Sequence, residues 1–378
     1  MQKTKKWIWE QDNYPYFTYD INKLAHLIQK VSLEQGYLIA MSKLMDGDVL
    51  VQRQYESLMS EALSTSAIEG EILNRDSVKA SIKRKLGLDN DLKSDISTDY
   101  LVAVLIDANS NYEDDLTLER LFGWHNALFP TGYSVFTKIN VAEFRSEETM
   151  EVVSGHAGKE KTYYTAPPRV NLEKEMDRFL EWFNSTEESL LKACITHLWF
   201  VIIHPLDDGN GRITRAITDL VLSKIEHSNI SRLYSMSSAI NNDRKGYYKA
   251  LENTTGYVTK QDNFLDITLW CEWFLSTLHN ALLDTKKKLD YIVQKTKFWD
   301  EYKDSNLNAR QTKVINRILD VGVENFQGDL SKKKYIKIAN TLSTTASRDI
   351  KELLELGCIK QVEGSAGKNT RYIINVQE

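Results

Sequence analysis

The sequence predicts a mainly α-helical protein, and three observations lead to that prediction. Apolar residues recur every three to four positions through most of the central chain, which is the period of an amphipathic helix. One central segment alternates instead, as a β-hairpin does. Near the C-terminus, three helical patterns precede a second hairpin pattern. We therefore predict an N-terminal segment (1–94), a helical domain (95–290), a linker helix (291–304) and a C-terminal domain (305–378).

The composition is that of a chain able to form well-packed domains. Its 378 residues are enough for two or three domains with substantial cores. A net charge of −5 excludes a strongly basic, nucleic-acid-binding chain as a whole. The cysteines are widely spaced without a CxxC pair, which favours buried thiols over disulfides or metal ligands. No apolar run has the length of a membrane span or a signal peptide, so we expect a cytoplasmic protein without membrane contacts.

The N-terminal segment is predicted to place a carboxylate at a helix end. Residues 7–20 are aromatic and polar with a proline, so we expect an extended arm or short strands there. A helix over INKLAHLIQKVSLEQGYL follows, and a second runs from Asp48 to Ile68. Gly70 is a good helix stop, so Glu69 lies in the last turn. The helix dipole disfavours a negative charge at that end, which indicates that a cation lies opposite Glu69.

The central domain is predicted to have an aromatic core and one hairpin. EVVSG and KTYYTA read as two strands around GHAGK. We expect His125, His197 and His279 in the core or at the surface rather than as metal ligands. The aromatic residues that we expect to fill the core are Trp124, Phe129, Trp182, Trp199, Trp270 and Trp273.

The stretch HPLDDGNGRITR, from His204 to Arg215, carries the chemistry. A glycine-rich turn that opens a helix directs backbone N–H groups toward one point, which makes an anion site. Two arginines on adjacent turns can hold further phosphate oxygens. An acid beside phosphates can hold Mg²⁺, and a histidine can act as a base. The pattern predicts a nucleoside triphosphate and an acceptor; the alternative is a helical turn with a solvated DDGN segment.

This stretch resembles the Fic-family signature, H-x-F-x-(D/E)-G-N-G-R-x-x-R, with Leu206 where the family has Phe. That residue anchors the loop, so the exchange concerns loop rigidity more than chemistry. The resemblance implies a Fic-type helical core and transfer of AMP from ATP to a hydroxyl group. It implies that His204 is the base and that Asp208 holds Mg²⁺ between the α- and β-phosphates.

The resemblance also assigns the phosphate-binding residues. The backbone N–H groups of Gly209, Asn210 and Gly211, with the Asn210 amide, would cradle the phosphates, and Asn210 would count with His204 among the catalytic residues. Arg212 would hold the β-phosphate and Arg215 the γ-phosphate.

TSAIEG resembles a second Fic element, the inhibitory motif (S/T)-x-x-x-E-(G/N). Thr65, Glu69 and Gly70 fill its fixed positions. The resemblance implies that Glu69 pairs with Arg215 and blocks the γ-phosphate site. A surface glutamate beside a helix stop is the alternative.

The predicted hairpin corresponds to the flap with which Fic proteins dock a target segment by strand pairing. The resemblance places the flap at Gly155 to Thr165, with Thr162, Tyr163 and Tyr164 as contacts. A plain surface hairpin is the alternative.

SSAINNDRKGYYKALENT resembles the segment that closes the adenine pocket. Tyr247 and Tyr248 are candidates for stacking on the base, with core packing of both as the alternative.

The C-terminal domain is predicted to be a winged helix–turn–helix. In that fold the third helix can enter the major groove and the wing can touch phosphate. The basic candidates are Arg348, Lys351, Lys368 and Arg371, but Asp349, Glu352 and Glu355 lie on the same helix. We therefore favour protein–protein contact or dimerisation over DNA binding for this domain.

The function expected from the sequence is a protein adenylyltransferase that uses ATP and Mg²⁺. Its expected partners are a target protein with a Ser, Thr or Tyr hydroxyl, the protein itself, and a second copy in a homodimer. One alternative is removal of AMP at the same site, with Glu69 orienting a water. The other is a transcription regulator that senses nucleotide and binds DNA.

Overall fold

The N-terminal segment contains the two predicted helices and a third one. The computed structural model describes residues 7–45, 47–89, 91–134, 136–146, 149–154, 161–227, 233–256 and 264–375. Its first helices are α1 (Ile21–Leu44), α2 (Gly47–Ile68) and α3 (Arg75–Lys85). The prediction of short strands before α1 is wrong, because residues 8–10 form a 3₁₀ turn. Ile8 is fully buried, and burial of that side chain holds the turn against the domain.

Caps explain where several helices begin and end. The Asp20 carboxylate accepts from the backbone N–H of Asn22 and starts α1, and Asn74 does the same for α3. Helix α2 ends one residue before Glu69, and Gly70 takes the left-handed conformation (φ 87°) that the predicted helix stop requires.

The central part is helical, as predicted. It contains α4 (Ile96–Ser110), α5 (Leu118–Leu128), α6 (Leu172–Ser185), α7 (Leu190–Ile203), α8 (Asn210–Glu226), α9 (Met236–Asn242), α10 (Arg244–Thr255) and α11 (Thr268–Glu301). Helices α7 and α8 pack on each other, and α2 packs on α8 and α9. Most residues of α7 and α8 are buried, so these two helices form the centre of the domain.

Most of the predicted core aromatics are buried. Trp124, Phe129, Trp199 and Trp270 lie in the core, whereas Trp182 and Trp273 are only half-buried. Those last two pack against the buried rings of Trp199 and Trp270 and lie at the edge of the core. His125 and His197 are fully buried, and the three cysteines are buried thiols.

The β-structure consists of two-stranded antiparallel pairs. Strands β1 (Tyr133–Ser134) and β2 (Thr137–Lys138) form the first pair. Strands β3 (Glu151–Ser154) and β4 (Lys161–Thr165) form the second, which confirms the hairpin expected before α7. Glu151 pairs with Thr165, and the register shifts between Val152 and Val153.

The chain divides into two compact units, residues 1–283 and 284–378. The predicted boundaries at 94, 290 and 304 remain predictions. Residues 291–301, predicted as a linker helix, continue α11 without a break. No helix among the described residues has the length and apolar character needed to cross a bilayer.

The second unit has three short helices followed by a hairpin, in the predicted order. These are α12 (Ala309–Val321), α13 (Lys332–Ala339), α14 (Ser343–Glu355), β5 (Ile359–Gln361) and β6 (Tyr372–Ile374). Its own core includes Phe298, Ile315, Tyr335 and Leu353. A single bridge joins Leu330 to Tyr372 in β6. Its use as a winged helix stays a prediction.

Candidate active site

The predicted signature forms a tight loop between α7 and α8. His204 ends α7 in the left-handed conformation (φ 49°), and its N–H donates to the carbonyl of Phe200 at 3.0 Å. Gly209 begins α8 with φ 81°, and a Cβ there would lie 2.8 Å from the Phe129 ring. Only glycine meets both requirements. The loop therefore brings the base candidate close to the positive N-terminus of α8.

Asn210 holds this loop closed. Its Oδ1 accepts from the N–H of Leu206 at 3.0 Å, and its Nδ2 donates to the Leu206 carbonyl at 2.8 Å. We predicted that the Asn210 amide would join the phosphate cradle, but both ends of the amide are engaged within the loop. Leu206 is buried and fills the anchor position. Asn210 thus helps to position the loop, and its role toward phosphate stays a prediction.

His204 presents one nitrogen as a proton acceptor. Its Nδ1 lies 3.3 Å from the carbonyl oxygen of Val201, and a carbonyl can only accept a hydrogen bond. Nδ1 therefore carries the proton, and Nε2 has a free lone pair. Burial lowers the pKa of His204 to about 4, so the ring is neutral near pH 7.

Arg145 was not singled out in the sequence, yet it supports the histidine. It is completely buried, and its Nε donates to the His204 carbonyl at 3.0 Å. Its backbone N–H donates to Pro205, and its Nη2 donates to Pro167, two residues beyond β4. Arg145 thereby ties the signature loop to the base of the hairpin.

Asp208 and Asp207 both accept hydrogen bonds from neighbouring segments. The Asp208 carboxylate accepts from the Ser134 hydroxyl and from the N–H of Gly209. Asp207 accepts from the N–H groups of Asn140 and Ser146, at 2.8 and 3.0 Å. Among the described residues no three metal-binding side chains cluster. Beside phosphates, Mg²⁺ is usually held by one or two carboxylates together with phosphate oxygens and waters, and Asp208 is the carboxylate predicted for that role.

Arg215 is bound by both Thr65 and Glu69. Its Nε donates to Thr65 Oγ1 at 2.7 Å, and its Nη2 donates to the Thr65 carbonyl at 2.9 Å. Nη2 also lies 2.7 Å from Oε1 of Glu69. The pairing expected between Glu69 and Arg215 is thus present. Burial is the largest influence and would lower the pKa of Arg215, but Glu69, Tyr247 and Glu61 together raise that pKa above its usual value.

The Glu69 carboxylate lies directly over the start of α8. A Cβ on Gly211 would clash with Oε1 of Glu69 and would lie 3.1 Å from Nη1 of Arg215. Gly211 therefore provides the space for that carboxylate. The N-terminus of a helix attracts anions, and the Glu69 carboxylate occupies the position where α8 would bind one.

A second carboxylate, which sequence reasoning missed, pairs with Arg212. Glu71 Oε2 lies 2.8 Å from Nη1 of Arg212, and the guanidinium stacks 4.9 Å from the Phe129 ring centroid. Glu71 is two residues beyond Glu69. Both signature arginines are thus paired with acids that follow α2.

Each arginine keeps one buried donor without a partner. Nη1 of Arg215 and Nε of Arg212 are buried and have no hydrogen-bond partner in the described part of the chain. Arg215 is 2% exposed and Arg212 is 7% exposed. Buried guanidinium donors are costly when unpaired, so their arrangement fits an anion that can accept from them.

The two candidate tyrosines of α10 have different surroundings. Tyr247 is buried, and its hydroxyl shares a hydrogen bond of 3.0 Å with Nε2 of His197. It therefore belongs to the core, which was the alternative for both residues. Tyr248 is 42% exposed, and its hydroxyl donates to the carbonyl of Ile68 at 3.2 Å. Tyr248 thus contacts the end of α2, next to Glu69.

The hairpin is anchored to α7. Tyr164 is buried, and its hydroxyl donates to the Ile202 carbonyl at 2.7 Å, so it is not available as a target contact. Trp9 donates its indole N–H to the Thr165 carbonyl at 2.7 Å. Gly155 lies outside the described residues. The backbones of Thr162 and Tyr163 belong to β4, but their side chains are not described.

Two family profiles match the chain. The profile of the Fic/DOC family matches residues 115–222, which include the whole signature loop. The profile of a domain of unknown function (DUF4172) matches residues 7–88, which include Thr65, Glu69 and Glu71.

Curated relatives share part of the sequence. The chain is 25% identical over 187 residues to Protein adenylyltransferase Fic of Nematostella vectensis, covering 45% of this chain and 38% of that protein. It is also 25% identical over 187 residues to Protein adenylyltransferase Fic of Culex quinquefasciatus, covering 46% and 34%. The matches thus span well under half of these relatives.

A solved structure shares the fold. A Fic family protein from Desulfovibrio desulfuricans is 19% identical, with a TM-score of 0.53 over 94% of this chain and 97% of that chain. At this identity the likeness shows a common fold.

Proposed function

Because residues 115–222 form a Fic/DOC-family domain, we propose that the protein transfers AMP from ATP to a side-chain hydroxyl of a target protein and of itself. The observation that carries this proposal is the convergence of three features at the start of α8. These are the helix N-terminus, two buried arginines with free donors, and the acceptor nitrogen of His204. Together they suit a chain of phosphates and a hydroxyl nucleophile.

The reaction uses groups that are already positioned. The acceptor oxygen attacks the α-phosphorus, and the bond from that phosphorus to the bridging oxygen of the β-phosphate breaks. Pyrophosphate leaves, and His204 Nε2 takes the proton of the hydroxyl. Arg212 and Arg215 hold the β- and γ-phosphates, which aligns the leaving group. Asp208 is the residue that would hold Mg²⁺, whose charge stabilises the leaving pyrophosphate.

Glu69 makes this an autoinhibited enzyme in our proposal. Its carboxylate pairs with Arg215 and occupies the space over Gly211, where a γ-phosphate would bind. Glu71 pairs with Arg212 in the same way. Glu69 and Glu71, in the segment after α2, thus neutralise the two arginines that would bind the phosphates. Productive ATP binding requires both carboxylates to move.

A second candidate function is the hydrolytic removal of AMP from a modified protein. It is favoured by one observation: the Glu69 carboxylate lies over Gly211 and beside Arg215, at the start of the helix that follows the signature loop of His204. A carboxylate so placed could orient a water for attack. In that reaction Glu69 would be required rather than inhibitory.

Labelled ATP distinguishes these possibilities. Purified protein is incubated with ATP labelled at the α- or the γ-phosphate, as wild type and as Glu69→Gly. We expect the α label, and not the γ label, to be retained on protein, and to increase in the variant. The matched control is Glu187→Gly, because Glu187 is exposed and lies outside helices and strands. Retention of the γ label would mean phosphoryl transfer and would refute the proposal. Loss of AMP release from premodified protein in Glu69→Gly, without any gain in labelling, would favour removal.

A further inference from the structure

The two compact units of the chain carry opposite net charge. Residues 1–283 contain 30 lysines and arginines against 40 aspartates and glutamates, a net charge of −10. Residues 284–378 contain 18 against 13, a net charge of +5. The overall charge of −5 conceals this basic C-terminal unit. Such asymmetry indicates a polyanionic partner for the basic part.

A groove between α12 and α13 concentrates the positive charge. Its volume is about 870 Å³. Asp320 is the acidic side chain in its described lining, and the ammonium of Lys295 lies 2.6 Å from that carboxylate. The cationic lining residues are Lys313, Arg317, Lys334 and Lys337.

Three of these cations have no internal counter-ion. Lys313, Arg317 and Lys337 are exposed, and none of them pairs with a carboxylate in the described ranges. Lys313 and Arg317 are four residues apart on α12, a spacing at which like charges repel. Lys334 is half-buried, with its ammonium 4.6 Å from the Phe326 ring centroid and donating to the Gln327 carbonyl. The groove therefore presents net positive charge to solvent.

The start of α13 adds charge that helix stability does not explain. Lys332, Lys333 and Lys334 occupy its first turn, where the helix dipole disfavours cations. The neutral part of the lining is also rich in donors. Asn316 accepts from Trp299 Nε1 through its Oδ1, which leaves its NH₂ group for a ligand. Donors and cations together suit an anion.

The helix expected to enter a major groove is balanced in charge by comparison. On α14, Arg348 lies 3.9 Å from Glu352, and Lys351 lies 3.6 Å from Glu355. Asp349 is buried and bound by Arg310, 2.8 Å away. Among the three helices α12, α13 and α14, the cations without a carboxylate partner in the described ranges thus lie on α12 and α13.

We infer that the groove between α12 and α13 binds the phosphate backbone of a nucleic acid. Lysine and arginine contacts to phosphate supply sequence-independent affinity, and amide side chains add hydrogen bonds to phosphate oxygens. The groove shares no residue with the signature loop, so this inference does not depend on adenylyl transfer.

The test is fluorescence anisotropy of a labelled DNA duplex, and of its single strand, with the full-length protein at about 50 to 200 mM salt. The groove variant is Lys313→Glu with Arg317→Glu. The matched control is Arg348→Glu with Lys351→Glu, which changes the net charge equally on α14. We expect the groove variant to bind at least about tenfold more weakly and to lose about two from the salt slope. The control should change affinity by less than about twofold.

Three results would overturn the inference. The first is absence of binding to both DNA forms by the wild type. The second is an equal loss of affinity in the two double variants. The third is that polyglutamate displaces the labelled DNA as effectively as unlabelled DNA does, at the same concentration of negative charge. That result would identify an acidic peptide as the ligand. Circular dichroism checks that each variant is folded, and ATP labelling of the groove variant should equal that of the wild type.

Discussion

The N-terminus of α8 and the groove between α12 and α13 both gather positive charge, but the chain treats them in opposite ways. At α8, Arg212 and Arg215 are buried and paired with Glu71 and Glu69. In the groove, the cations are mostly exposed, and the carboxylate of Asp320 pairs with Lys295. A buried guanidinium without a counter-ion is costly, whereas an exposed ammonium is stabilised by water.

The difference shows what each site requires. The site at α8 needs an anion at all times, either a carboxylate of the chain or a substrate phosphate. The groove needs none to remain folded. Exchange of one anion for another can therefore regulate the first site, and salt can regulate the second.

The largest expected effect is the loss of AMP transfer without His204, which distinguishes proton transfer from anion binding at α8. In the Glu69→Gly background, His204→Ala should lower AMP transfer about 10²- to 10⁴-fold, because Nε2 is the proposed base. Affinity for ATP should change little, since the ring makes no phosphate contact in the proposed reaction. Initial rates with α-labelled ATP and calorimetric titration measure the two. The control is His26→Ala, because His26 lies on the exposed face of α1. An equal loss of AMP transfer in the control, or full activity without His204, would refute the assignment of His204 as the base.

Stability should fall as the pH drops from about 6.5 toward 4. Burial lowers the pKa of His125 and His204 to about 4 and that of His197 to about 3. The unfolded histidines bind protons near pH 6.5, so the stabilisation is complete above that pH and is lost as the pH falls toward the folded-state pKa values. Each titrating group contributes at most about 1.4 kcal/mol per pH unit. Urea unfolding at several pH values measures this; no change between pH 7 and 5 would contradict neutral buried rings.

Removal of Glu69 should destabilise the site at α8 until ATP binds. Glu69→Gly leaves the buried Arg215 without its carboxylate, at a cost of about 1–3 kcal/mol, since Glu69 is partly exposed. Saturating ATP should restore Tm in this variant more than in the wild type. Lys313→Glu with Arg317→Glu should change stability by less than about 0.5 kcal/mol. Thermal unfolding with and without ATP measures the Tm of the wild type and of both variants. Equal changes in Tm for the two variants would contradict the proposed difference between the two sites.

A smaller effect is expected from the second carboxylate. Glu71 is 42% exposed on its side chain, so its pair with Arg212 is partly screened by water. Glu71→Gln in the Glu69→Gly background should tighten ATP binding about two- to fivefold, because Arg212 becomes free for phosphate. Calorimetric titration compares it with Glu187→Gln in the same background. Weaker ATP binding would show that Glu71 supports the site rather than blocking it.

Local features of the site could be predicted from the sequence, because the signature residues are neighbours in the chain. The turn at Gly209 and the start of α8 could be predicted from positions 204–215. The pair of Glu69 with Arg215 joins residues 146 apart, and only the family resemblance indicated it. Periodicity likewise predicted most of the helices and two of the hairpins, but α3 and the β1–β2 pair were not predicted.

Other contacts depended on packing that no local pattern encodes. Arg145 reaches His204 across 59 positions, and its sequence neighbours give no sign of it. Glu71 could have been suspected from its position two residues after Glu69, but its partner depends on the path of the chain after α2. Tyr247 and Tyr248 are adjacent in sequence, and only the packing of α10 makes one a core residue and the other a partner of α2.

The most direct test of autoinhibited adenylyl transfer is intact-protein and peptide mass spectrometry after incubation with ATP and Mg²⁺. Wild type, Glu69→Gly, and Glu69→Gly with His204→Ala are compared under the same conditions. We predict an added AMP on a serine, threonine or tyrosine of the Glu69→Gly protein, little on the wild type, and none on the double variant. An unmodified Glu69→Gly protein, or an adduct that persists without His204, would contradict the account.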